Sequence, residues 1–144
     1  RAPARRWLAV AAALLVGGVV GAGAVTVLQD DSGSVVAETG LDPLEPPNGE
    51  EASGRAEIRE VGGRRSLQVD LSAPQLQDGY YEVWLLRPDV SGMVQVGVVT
   101  EGTTSLPLPD GLDLAAYPVV DVSVEPLDGD PTHSGVSVAR GELS

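Results

Sequence analysis

Hydrophobic and polar positions alternate over short runs in the second half of the chain. Residues 66–71 and 119–125 both place an apolar side chain at every second position. This is the period of a β-strand with one buried face. In the second run Asp121, Ser123 and Glu125 occupy the opposite face, which we expect to be exposed to solvent.

The same alternation, with Gly-containing turns between the runs, predicts seven strands. They cover residues 56–61, 66–71, 80–87, 94–100, 103–108, 119–125 and 136–140. Residues 81–86 are apolar on both faces apart from Glu82, which predicts a central strand with Trp84 in the core. We therefore expect residues 55–144 to form an all-β extracytoplasmic domain, an immunoglobulin-like β-sandwich of about seven strands.

A different pattern opens the chain. Residues 7–28 form a run of 22 residues without a charge, which is long enough to cross a bilayer as one transmembrane α-helix. Arg1, Arg5 and Arg6 lie in a short stub, residues 1–6, and acidic residues follow the run. This charge order predicts a single-pass protein of the plasma membrane, with its N-terminus cytoplasmic and its C-terminus extracytoplasmic.

Two questions remain open for this segment: whether it is a cleaved signal peptide instead of an anchor, and whether its glycines serve helix pairing. Ala22-Gly23-Ala24 fits the small-x-small pattern of a cleaved signal peptide, although the apolar run continues beyond it. Gly17 and Gly21 have the spacing that lets two membrane helices approach closely, but glycine is also common in helices that only face lipid.

Charge separates the remainder from this opening segment. All 21 acidic residues lie beyond residue 29, and six arginines against them give that part a formal charge of −15. Such a surface repels phosphate backbones, so we expect no direct binding to nucleic acid.

Residues 29–54 are rich in acidic residues and interrupted by Pro43, Pro46 and Pro47. This composition predicts a disordered, extended acidic linker between the helix and the domain. Exposed linkers are preferred sites of proteolysis, so the segment is either a protease substrate or a simple spacer.

Little in the sequence points to catalysis. There is no cysteine, which excludes a thiol nucleophile and a thiolate metal site. The only histidine, His133, is adjacent to Ser134, and neighbours in sequence cannot readily present a base and a nucleophile to one substrate atom. We predict no catalytic residue.

Asp128, Asp130 and Glu125 offer carboxylate oxygens at a spacing used by some cation-binding loops. The match lacks the 12-residue frame and its closing glutamate. The alternative is a loop whose carboxylates and imidazole accept hydrogen bonds from nearby backbone N–H groups. We therefore predict no metal ligand, no cofactor-binding residue and no cofactor.

The stretch from Tyr80 to Leu143 resembles the extracytoplasmic C-terminal domain of the anti-sigma-K factor family. The similarity is carried by the following segments: Tyr81-Glu82-Val83-Trp84-Leu85, Gly97-Val98-Val99, Leu106-Pro107-Leu108-Pro109, Val120-Asp121-Val122-Ser123-Val124-Glu125-Pro126, Asp130-Pro131-Thr132-His133-Ser134-Gly135 and Gly141-Glu142-Leu143. The order of helix, linker and β domain extends the similarity along the chain.

The resemblance implies a membrane-bound anti-sigma factor, a transcription regulator without enzymatic activity. Its partners would be the membrane, a sigma factor held by a cytoplasmic domain upstream of Arg1, a site-1 protease and an intramembrane protease. Regulated intramembrane proteolysis would release the extracytoplasmic-function sigma factor, and the β domain would act as sensor and shield. The alternatives are a secreted or surface-tethered binding module and an extracytoplasmic hydrolase that uses His133.

Overall fold

The computed structural model describes residues 33–45 and 51–144. The predicted stub, the predicted transmembrane helix and residues 29–32 and 46–50 of the predicted linker lie outside these residues. Within them, no helix has the length and apolar character needed to cross a membrane.

The described residues form an all-β fold, as the sequence predicts, but with eight strands. The strands are β1 (Ser34–Pro43), β2 (Ser53–Val61), β3 (Arg64–Ser72), β4 (Tyr80–Leu86), β5 (Met93–Val99), β6 (Gly102–Pro107), β7 (Val119–Glu125) and β8 (Ser137–Glu142). The seven predicted strands correspond to β2–β8, and β7 matches its predicted bounds at both ends. The apolar alternation and the turn residues between the runs therefore predicted the positions of β2–β8 correctly.

Strand β1 corrects the linker prediction, because it occupies residues expected to form a disordered tether. It pairs with β2 in an antiparallel register from Ser34, opposite Glu60, to Leu41, opposite Gly54. Its apolar positions are few, but Leu41 is buried in the core. Pairing on both edges orders this acidic segment although its composition alone favours disorder.

All eight strands belong to one sheet, in the order β5-β4-β7-β8-β1-β2-β3-β6. This nearly closed sheet replaces the expected seven-stranded, immunoglobulin-like arrangement. Its two edge strands, β5 and β6, approach each other where the Leu106 side chain lies against Gly97. Strand β1 connects the two halves of the sheet, since its first part pairs with β2 whereas Asp42 and Pro43 pair with β8.

The core lies between the two halves of the curved sheet. Its fully buried side chains come from both halves and include Ile58, Leu67, Val69, Leu85, Val120 and Val122. Strand β4, which lies between β5 and β7, is buried on both faces, as predicted for a central strand.

Close backbone packing holds β1 against β8. A Cβ atom added to Gly141 of β8 would overlap the carbonyl oxygen of Gly40 in β1 and the side chain of Thr39. Only glycine at position 141 permits this approach. Backbone hydrogen bonds between Glu38 and Ser144, 3.2 Å in each direction, continue the contact beyond the ends of the regular pairing.

Candidate functional site

The polar face of β7 is the part of the domain where sequence-derived candidates converge. Asp121, Ser123 and Glu125 were expected to face solvent, but all three are buried, and the exposure of Asp121 is 0%. The expectation is wrong because the segment that follows β7, residues 126–136, returns to contact this face. A β-strand pattern shows which side chains share a face, but it does not show what covers that face.

Asp121 is bound by three side chains. Its Oδ2 atom lies 3.0 Å from Nε2 of His133 and accepts a hydrogen bond from Oγ of Ser137 at 2.8 Å. Its Oδ1 atom accepts a hydrogen bond from Nε of Arg140 at 2.7 Å. The guanidinium of Arg140 therefore compensates the charge of a fully buried carboxylate, which would otherwise be costly to bury.

The geometry around His133 fixes its tautomer. The backbone N–H of Gly135 donates to Nδ1 at 2.8 Å, so Nδ1 must carry a lone pair. The proton of the neutral ring is consequently on Nε2, and it points at Asp121. The ring also packs on Trp84, with 5.0 Å between the centroids and 59° between the planes.

Glu125 makes the second attachment of the same loop. One carboxylate oxygen accepts the backbone N–H of Ser134 at 2.8 Å, and the other accepts the hydroxyl of Ser123. The Ser123 hydroxyl in turn accepts Nε1–H of Trp84 at 3.0 Å. Among the described residues, no buried side-chain polar atom lacks a hydrogen-bond partner.

We call this set of contacts the polar clasp. Its members attach the loop of residues 126–136 to the outer face of β4, β7 and β8, and they are Trp84, Asp121, Ser123, Glu125, His133, Ser134, Ser137 and Arg140. A fully satisfied buried network is rigid, because each polar group would be costly to leave unpaired.

The clasp is not arranged as a nucleophilic triad. The hydroxyl of Ser134 donates to the carbonyl oxygen of Val124 at 2.8 Å rather than to His133. Both ring nitrogens of His133 are already engaged, with Gly135 and Asp121. The imidazole therefore does not serve as a base for Ser134 in this geometry.

The loop carboxylates accept hydrogen bonds from nearby backbone N–H groups, which is the predicted alternative to cation binding. Asp128 accepts the backbone N–H of Asp130, and Asp130 accepts that of Thr132, both at 2.9 Å. Hydrogen bonds from Thr132 lower the pKa of the Asp130 carboxyl. In the part of the chain that the structure describes, no three His, Asp or Glu side chains are grouped as metal ligands would be.

A shallow groove of about 360 Å³ lies beside the clasp. Its walls include His133 and Arg140 on one side and Val90 and Met93 of the β4–β5 hairpin on the other. Val90 has a φ of 57°, a left-handed conformation that is strongly disfavoured for a β-branched side chain.

A larger cleft, of about 460 Å³, opens at the other end of β4. It lies between the β3–β4 and β5–β6 connections, and Leu76, Tyr80, Tyr81 and Val98 contribute to its walls. The hydroxyl of Tyr81 donates to the carbonyl oxygen of Pro74 at 2.9 Å. Partial desolvation, with the negative charges of nearby carboxylates, raises the pKa of the Tyr80 phenol. The cleft combines apolar and hydrogen-bonding surface, as small-molecule sites do.

The sequence motifs on both sides of the clasp agree with a family comparison. The family model described as the C-terminal part of the anti-sigma-K factor rskA matches residues 7–137. The chain belongs to this family. Comparison with curated proteins gave no match, and comparison with solved structures gave none either.

Family membership confirms the resemblance found in the sequence. Two of the segments that carry the resemblance, residues 120–126 and 130–135, contain five of the eight clasp residues, namely Asp121, Ser123, Glu125, His133 and Ser134. The clasp gives a physical reason for their joint presence, since each segment supplies the hydrogen-bond partners of the other. Sequence reasoning missed Ser137 and Arg140, although an isolated arginine in an apolar strand does indicate a buried acidic partner.

Proposed function

We propose that this chain is the anchor and extracytoplasmic domain of a membrane-bound anti-sigma factor, and that the domain controls proteolytic release of a sigma factor. Family membership supports the anti-sigma role. Residues 7–28 would cross the plasma membrane once, with the N-terminus in the cytoplasm, where an upstream domain would hold the sigma factor. The chain itself would perform no catalysis, and a site-1 protease followed by an intramembrane protease would cut it.

The observation that carries the mechanism is the position of β1. This strand is the first described element after the apolar run. Residues 34–41 pair with β2, Asp42 and Pro43 pair with β8, and Glu38 exchanges backbone hydrogen bonds with Ser144. Proteases cut most readily where the backbone is exposed and unpaired. Residues 34–43 of the segment expected to be a protease substrate are therefore protected for as long as β1 remains in the sheet.

Activation would then require a state in which β1 leaves the sheet. A ligand or partner shifts that equilibrium only through different affinities for the closed and open states. The cleft beside Tyr80 and Tyr81 offers a place where such a molecule could act from outside. Binding there would stabilise or disturb the end of the sheet that contains the β3–β4 connection.

Loosening β1 is the first test. Gly141→Ala places a methyl group against the backbone of Gly40, so we expect β1 to separate from β8 and cleavage to occur without stimulus. Gly40→Ala is the matched control, because a Cβ atom there meets nothing within 4 Å. Fragment size on immunoblots of membranes is the measurement. Equal stability of both full-length variants towards the first protease would contradict the shielding role of β1.

Locking β1 is the converse test. Glu38 and Glu57 are directly opposite in the β1–β2 register, and cross-strand partners lie within the Cα distance of a disulfide. The oxidised Glu38→Cys/Glu57→Cys protein should resist stimulus-induced cleavage, and reduction should restore cleavage. Gln68→Cys/Ser105→Cys joins β3 to β6 instead and should leave cleavage unchanged. Equal cleavage of the two oxidised proteins would argue against the proposal.

The cleft also supports the second candidate function, that of a secreted or surface-tethered binding module. In that case cleavage after Ala24 would free the domain from the membrane. N-terminal sequencing of the mature protein separates the two functions. A start at Val25 supports the binding module, whereas an intact residue 7–28 segment supports the membrane-bound regulator.

A further inference from the structure

Exposed apolar side chains are concentrated at one end of the domain. Among the described residues, seven large hydrophobic side chains are exposed, and five of them share this end. These five, each between 41 and 52% exposed, are Val35, Val36, Val61, Val90 and Met93. The other two, Val98 and Leu127, lie elsewhere, on the edge strand β5 and in the loop after β7. We call the end with the five residues the proximal end.

Strand register brings these residues to one end. Val35 lies opposite Arg59, and Val61 lies opposite Arg64, at the start of β1 and the tip of the β2–β3 hairpin. The connection 108–118 then links this hairpin to the β4–β5 hairpin. Arg65 donates to the carbonyl oxygen of Leu112 at 2.6 Å from one side, and Arg87 packs 5.2 Å from the ring centre of Tyr117 from the other.

Charge is also distributed unevenly between the two ends. Four of the six arginines among the described residues are at the proximal end, namely Arg59, Arg64, Arg65 and Arg87. Five acidic residues lie at the same end, Glu60, Asp89, Asp110, Asp113 and Glu142, so its formal charge is −1. The connections at the opposite end carry acidic residues without an arginine, among them Asp78, Glu101 and Asp128. The domain is therefore strongly polarised, and its proximal end is the one that an anionic surface repels least.

Val90 adds an independent indication. Its left-handed backbone conformation would be comfortable for glycine or asparagine, yet the position holds an exposed β-branched residue. The backbone N–H of Val90 donates to the carbonyl oxygen of Arg87 at 2.9 Å, which fixes the turn. Strained backbone conformations of this kind cluster at binding sites and switch regions.

The short connection between the apolar run and β1 indicates which surface lies near the proximal end. Only residues 29–33 separate the apolar run from β1, and a fully extended chain of this length spans about 20 Å. The start of β1 is itself part of the proximal end. If residues 7–28 cross the bilayer, this end is confined to the immediate vicinity of the lipid headgroups.

We propose that the proximal end docks on the anionic lipid surface of the membrane, with the five apolar side chains entering the headgroup region and Arg64 contacting phosphate groups. Apolar side chains bordered by arginines are typical of surfaces that lie at the lipid interface. This inference rests on the proposed membrane anchor. Docking would hold the entry into β1 against the bilayer, which restricts the access of a protease to residues 29–33.

The absence of native cysteine allows a direct measurement on the full chain. The chain carrying Val61→Cys and an environment-sensitive fluorophore is reconstituted into vesicles rich in phosphatidylglycerol that contain brominated lipids. Leu127→Cys is the matched position, because Leu127 is 72% exposed and lies at the opposite end. We expect quenching several-fold stronger at position 61 than at position 127, and weaker quenching at 61 in phosphatidylcholine vesicles.

Two variants test the chemistry of the contact. Val90→Gly removes the strained apolar side chain, and Arg64→Glu reverses a charge; each should reduce quenching at position 61. Arg55→Glu makes the same charge change near the other end of β2 and should leave quenching unchanged. Equal quenching at positions 61 and 127 would overturn the docking inference, as would chemical cross-linking of position 61 to a protein partner without lipid quenching.

Vesicle flotation separates this failure from failure of the proposed function. A chain that floats with vesicles but shows no quenching at position 61 is anchored without docking. A chain that does not float lacks the anchor, and both proposals fail together.

Discussion

The backbone N–H of Gly135 donates to Nδ1 of His133 over 2.8 Å, and this contact determines which ring nitrogen faces Asp121. A loop residue two positions away thus sets the hydrogen-bonding state of the imidazole. This hydrogen bond joins two residues of the loop 126–136 at the place where the loop is bound to β7. His133 is consequently a structural fastener of the domain, and its loss should be visible in stability.

His133→Phe should destabilise the domain. Phenylalanine preserves a ring over Trp84 but cannot accept the Gly135 N–H or donate to Asp121, so we expect a loss of about 1–3 kcal/mol in the free energy of unfolding. Urea denaturation followed by Trp84 fluorescence measures it. Leu127→Ala, an exposed site in the same loop, should change the stability by less than about 0.5 kcal/mol. A similar effect from both substitutions would refute the fastener role.

Two arginines permit a matched comparison of ion pairs. Arg140 pairs with a fully buried carboxylate, whereas Arg55 and Glu38 are both more than half exposed. Arg140→Met leaves Asp121 poorly compensated and should cost about 2–3 kcal/mol. Arg55→Met should cost about 1 kcal/mol at most, because exposed pairs contribute little. If the two variants unfold at the same urea concentration, the buried pair is not a stabilising element.

Acidity should affect the loop through Asp130. Its pKa in the folded domain is lowered by hydrogen bonds from Thr132, so its contribution to stability is present above the unfolded pKa and is lost as pH falls through the folded pKa. Carboxyl carbon chemical shifts should show Asp130 titrating below an ordinary aspartate. Thr132→Val removes the hydroxyl and should move the pKa upward. An unchanged titration curve in that variant would contradict the assigned cause.

Relieving the strain at Val90 should stabilise the folded domain. Val90→Gly allows the positive φ without a Cβ clash, although the more flexible unfolded chain offsets part of the gain. We expect an increase of up to about 1 kcal/mol. Thermal unfolding measures it, with Val98→Gly, in the regular edge strand β5, as a control that should lower stability. A destabilised Val90→Gly protein would show that the turn is not strained.

Much of the fold follows from local patterns in the sequence. Strands β2–β8 were predicted because apolar alternation and Gly-containing turns are local signals, and β4 was identified as central from its two apolar faces. Strand β1 was missed because its order comes from its neighbours β2 and β8 and not from its own acidic composition. No local pattern within residues 34–43 predicts the pairing with β2 and β8.

The candidate site could be predicted only in part. The sequence singled out His133, Glu125, Asp128 and Asp130, and it correctly offered backbone hydrogen bonding as an alternative to cation binding. It could not place Asp121 beneath the loop, because a strand pattern contains no information on the return path of a later segment. The groove beside Val90 was likewise beyond prediction, since it depends on two hairpins meeting.

The pairing of β1 with β8 also sets an order of events during synthesis. Strand β1 remains without one of its two neighbours until residues 137–142 have been synthesised, because β8 is the last of the described strands. Contacts so distant in sequence form late in folding. A polypeptide that ends prematurely, before Ser137, would leave the β8-facing edge of β1 without its partner, and such an unpaired edge can pair with other chains.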